Sequence, residues 1–432
     1  MFISIHIFIG VLVTFLPISK ALMLFVLIFG IVTIYKNKNK NKEVFYIVGY
    51  IIGVEVFLRM TGGTFLYETG KYSVLLFTIL GLLFDKINEK SSIFFLFYIL
   101  LLLIGIVFTQ TPPGESIRKA VAFNLSGPIT LGFFAIYCYK RKITITQFKN
   151  LLFICLLPMF SMISYIYFRT PSLEELVFST SSNFDTSGGF GPNQVATIIG
   201  FGGFILAVFL FIRINLSLYI FIDAIFLAYF IYRGLLTFSR GGMITAAFAF
   251  LIFAFFMFSY QKITIIKISK YVFVTFVLFL GIWLYTSNIT GGMIDNRYAG
   301  KNATGVKKND VTAGRGDIID MQLESFYESP IFGIGVGNGK YKRIETGKRV
   351  TAASHNEIGR LIEEHGMLGI IALFILLIVP LENIYFSNNY QRAFLSAFFV
   401  FWFLTINHSA MRIAFPAFVY GLSLIKIVPD EE

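Results

Sequence analysis

The feature that most constrains this chain is the recurrence of apolar runs long enough to cross a bilayer, each broken by a short polar or glycine/proline cluster. A membrane-spanning helix needs about 20 mostly apolar residues. Fourteen segments meet or approach that: 2–18, 20–35, 44–60, 72–84, 92–109, 121–139, 150–168, 193–212, 216–232, 241–259, 271–287, 366–381, 393–408 and 414–428. Of the 432 residues 56% are hydrophobic and only 14% charged, against about 25% charged in a soluble domain. So much apolar surface cannot be hidden in a water-facing fold. The expectation is an all-α polytopic integral membrane protein of about 12–14 transmembrane helices, with one long extracytoplasmic loop, 289–365, holding short helices. The first run lacks a basic start and a small-residue cleavage site, so it reads as a span and not a signal peptide. Cys138 and Cys155 both sit inside apolar runs, which excludes a disulfide framework and a cysteine-based zinc site.

A net charge of +12 invites a nucleic-acid reading, but in a membrane protein the placement of lysine and arginine sets orientation. The loops at 36–43, 85–90, 140–149 and 260–270 hold thirteen basic residues and fall on one side of the predicted spans. With Arg213, Arg392 and Lys426 that side has sixteen, against nine in the opposite short loops. The basic side is therefore expected to be cytoplasmic, with both termini there. The other eleven basic residues lie in 289–365 beside ten acidic ones, and long loops do not obey the positive-inside rule. The bilayer is the expected partner, and no nucleic acid. Within the long loop, 317–328 reads as an amphipathic helix with Ile319, Leu323 and Phe326 on one face and Asp320, Glu324 and Glu328 on another, stopped by Ser329 and Pro330.

Three separated segments predicted on the opposite, extracytoplasmic side carry polar residues that spanning does not require. They are Gly188-Gly189-Phe190-Gly191-Pro192-Asn193, Ser239-Arg240-Gly241-Gly242, and the long loop with Gly314-Arg315-Gly316 and later His355-Asn356. A guanidinium carried to the bilayer centre costs about 2.5–3.5 kcal/mol, so Arg240 stays near the interface and seeks an anion. Gly241 and Gly242 admit a close ligand, and a helix start offers amide hydrogens to the same anion. The alternative is a snorkelling arginine with glycines for helix packing. Arg315 suits bidentate capture of phosphate oxygens or is a plain surface residue. The glycines at 333, 335, 337 and 339 form a turn, not a P-loop, since Tyr341 stands where Ser or Thr would hold magnesium. His355, with Asn356 beside it, is suited to act as general base for a hydroxyl, or serves structure alone. Glu55 and Arg59 stand at i and i+4 inside a span and can pair. Asp223 lacks a local partner, and the two carboxylates are what a proton-coupled transporter or lipid-linked glycan flippase would use.

Read in order, Phe190-Gly191-Pro192-Asn193, Ser239-Arg240-Gly241-Gly242, Gly314-Arg315 with Pro330 and the following glycines, His355-Asn356, then Glu364-His365-Gly366 with Gly369 resemble the O-antigen ligase and O-antigen polymerase superfamily. The motifs occupy 188–369, which separates an N-terminal multispan region, 1–187, from a ligase/polymerase-like membrane region, 188–432. Gly359 and His365 depart from the family pattern. The resemblance implies a membrane glycosyltransferase that moves a glycan from a polyprenyl (undecaprenyl) diphosphate carrier to an acceptor sugar, either a carrier-linked repeat or the lipid A core. It implies no nucleotide sugar, cofactor or metal, and a bacterial plasma (inner) membrane setting with the site outside the cytoplasm. On it Arg240 and Arg315 bind the diphosphate, His355 is the base, and Asn193, Ser239, Gly241 and Asn356 help bind substrate. No residue is placed as a covalent nucleophile, so inversion at the anomeric carbon is expected. The lean is toward a surface-polysaccharide polymerase, with ligase close behind.

Overall fold

The structure, a computed structural model, describes residues 1–85, 89–172, 176–262, 264–308, 315–345 and 355–430. It is almost entirely helical: α1 Phe2–Phe15, α2 Ser19–Asn37, α3 Glu43–Met60, α4 Thr69–Phe84, α5 Glu89–Ile104, α6 Ile117–Cys138, α7 Ile145–Arg169, α8 Pro192–Phe211, α9 Ile220–Leu236, α10 Arg240–Gln261 and α11 Ile265–Ile289. The short helices α12 Met293–Tyr298, α13 Arg315–Glu328 and α14 Gly339–Glu345 follow, then α15 Glu357–Tyr385, α16 Asn389–His408 and α17 Phe415–Leu422. Among the described residues six helices are long and apolar enough to cross a membrane, and four shorter apolar ones accompany them. The chain is an all-α multi-pass membrane protein. Thirteen of the fourteen predicted spans coincide with a helix, one for one.

The fourteenth, 414–428, takes another form. Helix α17 has 8 residues, and the chain then runs extended into strand β2, Lys426–Val428, which pairs in parallel with β1, Lys142–Thr144. Extended chain rises about 3.3 Å per residue against about 1.5 Å in a helix, so the short segment still covers most of the depth. Non-helical backbone is tolerated at that depth only inside protein. Leu422, Leu424, Ile425 and Ile427 are all buried, and the Asn383 amide donates to the Ser423 carbonyl at 3.0 Å.

Two devices pack the bundle. Where helices cross, a glycine takes the place of a side chain: a Cβ on Gly53 would sit 2.1 Å from the Cys155 carbonyl oxygen (α3 on α7), and one on Gly200 would sit 2.7 Å from that of Gly242 (α8 on α10). Between them lies a phenylalanine core. Phe201 contacts Phe401 and Phe415 edge-on at 5.3 and 4.9 Å, and Phe253 and Phe148 meet Phe394 at 5.0 and 4.9 Å. The outward face of α10 leaves Phe248, Leu251 and Phe255 exposed, which suits lipid.

The two ends of the bundle differ. At one, Asp85 accepts from Arg141 at 2.5 Å and from the Asn39 amide at 2.7 Å, with Lys42 at 3.8 Å, while the β1–β2 pair joins the C-terminal strand to the same place. Three of the four basic loops thus share one end with Lys426, as their spacing predicts. At the other end stand the N-termini of α8, α10 and α15 and the C-terminus of α16.

Helix α13 forms, but turned from its expected face. It buries Ile318, Met321, Gln322 and Ser325 against α15, while Ile319 and Leu323 are exposed. Both stripes are apolar enough to serve, and the partner decides: Gln322 donates to Glu363 at 3.3 Å.

Candidate functional site

The site grows from the tight turn that enters α10. Phe238, fully buried, adopts a left-handed φ of 55°, a conformation few bulky residues accept. It is held there because its carbonyl accepts from Arg297 Nε at 3.0 Å, while Arg297 Nη1 also reaches the Thr180 carbonyl at 2.9 Å. The turn aims Ser239 away from its own helix. Its hydroxyl makes no cap bond to α10 and instead donates to Asn193 Oδ1 at 2.7 Å. Asn193 sits in the first turn of α8, whose Pro192 at the helix start fixes the backbone. Ser239 and Asn193, predicted together, are in direct contact.

Gly241 lies one residue inside α10, and a Cβ there would fall 2.4 Å from Cδ2 of His408. The glycine is required because the imidazole rests on the helix start. His408 Nδ1 bonds the Leu404 carbonyl at 2.8 Å, so that nitrogen carries a proton, and Nε2 faces the Thr197 hydroxyl at 3.4 Å. His408 was not singled out from the sequence, where it is the last residue of an apolar run. Arg240, partly buried, opens α10 near Tyr298. Burial pushes the Tyr298 phenol up to about 12, against the pull of Arg240 and Arg297.

The His355 segment joins from α15. The His355 carbonyl accepts from the Ala410 amide at 3.0 Å, tying it to the turn two residues after His408. Ala410, like Phe238, is a buried non-glycine residue with a left-handed φ, 51°. Asn356 caps α15, its Oδ1 accepting from the amides of Ile358 at 3.0 Å and Gly359 at 3.3 Å. That oxygen has a helix-capping duty. Arg315 begins α13, and its side chain, like Gly314, lies outside the described residues.

The turn 409–414 is held by charges from α3 and α4. Glu55 Oε1 accepts from Arg59 at 2.8 Å and Oε2 from the Ala414 amide at 2.8 Å; Arg59 also reaches the Arg412 carbonyl at 3.1 Å. Lys71, paired with Glu68, donates to the Met411 carbonyl at 3.2 Å. Glu55 and Arg59 pair as their spacing predicts. Asp223 does have local partners, contrary to expectation: its two oxygens accept from the amides of Leu216 at 2.8 Å and Ser217 at 3.0 Å. The apolar run starts before the helix does, so Asp223 lies in the first turn of α9 and ties down the loop ahead of it.

Helix α15 is broken at Gly366, with φ 59° and ψ −135°. A Cβ there would lie 2.6 Å from the Pro330 carbonyl oxygen, and the Met367 amide donates to that same oxygen at 2.7 Å. The glycine turn at 333–337 is a packed strap. The amides of Ile334 and Gly335 donate to the carbonyls of Glu363 and Glu364 at 3.0 and 3.1 Å, leaving them no ligand role. Before the break, buried Glu357, Arg360, Glu363 and Glu364 interlock, with Arg343 of α14 on Glu363 at 3.2 Å.

No curated protein matches the chain. Residues 224–374 match the family model described as O-Antigen ligase, a stretch that contains Ser239 to Gly242, Arg315, His355-Asn356 and the Gly366 break, though not Asn193. Through this segment the chain is similar to the O-antigen ligase family.

Proposed function

We propose that the protein transfers a glycan from a polyprenyl diphosphate carrier, of the undecaprenyl type, to a sugar hydroxyl during surface-polysaccharide synthesis, on the extracytoplasmic side of the bacterial plasma membrane. The observation that carries this reading is that Asn193, Ser239, Gly241 and the His355 carbonyl, from three separate parts of the chain, meet around His408 and the turn after it, at the end of the bundle opposite the Asp85 cluster of basic loops. Arg240 stands at the start of α10, where amide hydrogens and the helix dipole favour an anion.

In the reaction the acceptor oxygen attacks the anomeric carbon as the bond from that carbon to the diphosphate oxygen breaks. The hydroxyl proton passes to His355, and the electron pair leaves with the carrier diphosphate, whose charge Arg240 and Arg315 offset. Donor and acceptor held in line supply much of the rate. A polymerase leaves its product on the carrier and a ligase leaves it on lipid A core; the motifs do not separate the two, and the lean is to polymerase.

The test is incubation of purified protein in detergent with carrier-diphosphate glycan, without nucleotide or added metal. Longer or transferred glycan is expected from wild type and none from His355→Ala. No wild-type product, together with normal surface polysaccharide in cells carrying only His355→Ala, would sink the reading.

A further inference from the structure

We infer that the cavity between α6, α14 and the first turns of α15 is the seat of the acceptor glycan. This rests on the transferase reading and extends it. The cavity has a volume of about 440 Å³, enough for one or two sugar rings. Its floor is the buried set Arg343, Arg360, Glu363 and Glu364; its rim carries the rings of Phe123 and Tyr341, with Glu115 and Lys119 exposed beside them.

The chemistry of the floor separates this cavity from the anion site at α10. Its guanidinium groups are already matched by carboxylates: Arg343 on Glu363 at 3.2 Å, and Arg360 on Glu364 at 3.1 Å and on Glu357. Guanidinium groups so paired leave a diphosphate little uncompensated charge at the floor, and the cavity's other cations, Lys119 and Lys340, stand nearer its surface. A polyhydroxylated neutral ligand fits better, because each sugar hydroxyl both donates and accepts, and the floor interleaves fixed acceptors with fixed donors. The rim rings offer apolar faces against which the C–H face of a sugar packs. The Tyr341 hydroxyl donates to exposed Glu115 at 3.3 Å, leaving the ring face itself as the packing surface, and Phe123 packs on Tyr67 at 6.0 Å.

Position supports the same assignment. Arg360, Glu363 and Glu364 of the cavity lie in the first turns of α15, the helix that His355 and Asn356 lead into. The strap at 333–337 forms one wall: Gly337, at φ 80°, faces Asn124 and leaves 2.8 Å between its Cβ position and the Asn124 amide nitrogen, so a side chain there would intrude.

The probe is the phosphate-free oligosaccharide released by mild acid from the cell's own surface polysaccharide, observed on full-length protein in detergent by saturation-transfer NMR. Wild type and Arg240→Ala are expected to show transfer, Tyr341→Ala to weaken binding about tenfold, and Tyr341→Phe to restore it. In turnover, Tyr341→Ala is expected to raise the KM for acceptor about tenfold and leave that for the carrier-linked donor unchanged. Binding that ignores Tyr341, or that millimolar inorganic pyrophosphate displaces, overturns the assignment. The two failures separate: absent product with Tyr341-dependent binding sinks the transferase reading, whereas product with Tyr341-independent binding sinks the acceptor seat.

Discussion

Gly241→Ala tests whether the helix start at α10 and His408 form one unit. The added Cβ would lie 2.4 Å from Cδ2, 2.6 Å from Cγ and 3.0 Å from Nε2 of the imidazole. Carbon pairs settle at about 3.5–4.0 Å, so the ring or the helix must retreat by about 1 Å. The ring cannot swing away freely, since Nδ1 is bonded to the Leu404 carbonyl and the side chain is buried. Overpacking of this kind costs about 1–3 kcal/mol, and a displacement of about 1 Å at the reacting centre costs on the order of 10²-fold in rate. The expected result is a lowered melting temperature in detergent and turnover down about a hundredfold. The assay is a double-mutant cycle. In a His408→Ala background the methyl group has room, so Gly241→Ala is expected to destabilise little there. Wild-type turnover in Gly241→Ala, or the same destabilisation with and without His408, refutes the coupling.

Two more changes probe the supports of the site. Glu55→Ala strips a buried guanidinium of its carboxylate and the Ala414 amide of its acceptor; it is expected to cost about 3–5 kcal/mol, read as loss of monodisperse protein on gentle heating, with Glu55→Gln milder because it keeps one acceptor. Gly366→Ala forces an L-residue into φ 59°, ψ −135° with its Cβ against the Pro330 carbonyl; about 3 kcal/mol or more is expected, seen as poor membrane yield and early thermal unfolding. Normal thermal stability in either alanine variant contradicts the packing described.

The helical spans were legible because a bilayer forces long, uninterrupted apolar runs. What failed were places where tertiary partners outvote local pattern. The run Leu424–Val428 is short and β-branched, and periodicity cannot tell such a run from a buried helix; pairing with Lys142–Thr144 decides it. In α13 the stripe with Gln322 goes inside because Glu363 waits there, a fact absent from the hydropathy of 317–328. At the site, Asn193 and Ser239 were legible as polar residues at span starts. His408 was not, because what marks it is the missing side chain of Gly241, far away in the chain. A glycine at the start of an apolar run, Gly241, was the one available signal, since a missing side chain at a helix start leaves room for a close neighbour.

The intramembrane charges bear on the choice between an enzyme and a transporter. Buried ion pairs contribute little net stability and are best attested as devices that fix register. Here the two pairs of α3 and α4 end on main-chain atoms of Met411, Arg412 and Ala414. They therefore set the path of the turn whose Ala410 amide holds the His355 carbonyl and which leaves His408 on Gly241. A carboxylate that carries protons across a membrane must change charge without losing its supports. Glu55 has one oxygen on a guanidinium and the other on an amide, and Asp223 has both oxygens on amides. Every oxygen of both carboxylates is thus already engaged in holding main chain or a neighbouring guanidinium. Of the two charges that looked most like a proton path in the sequence, Glu55 has the geometry of a support for the site and Asp223 that of a support for the loop ahead of α9.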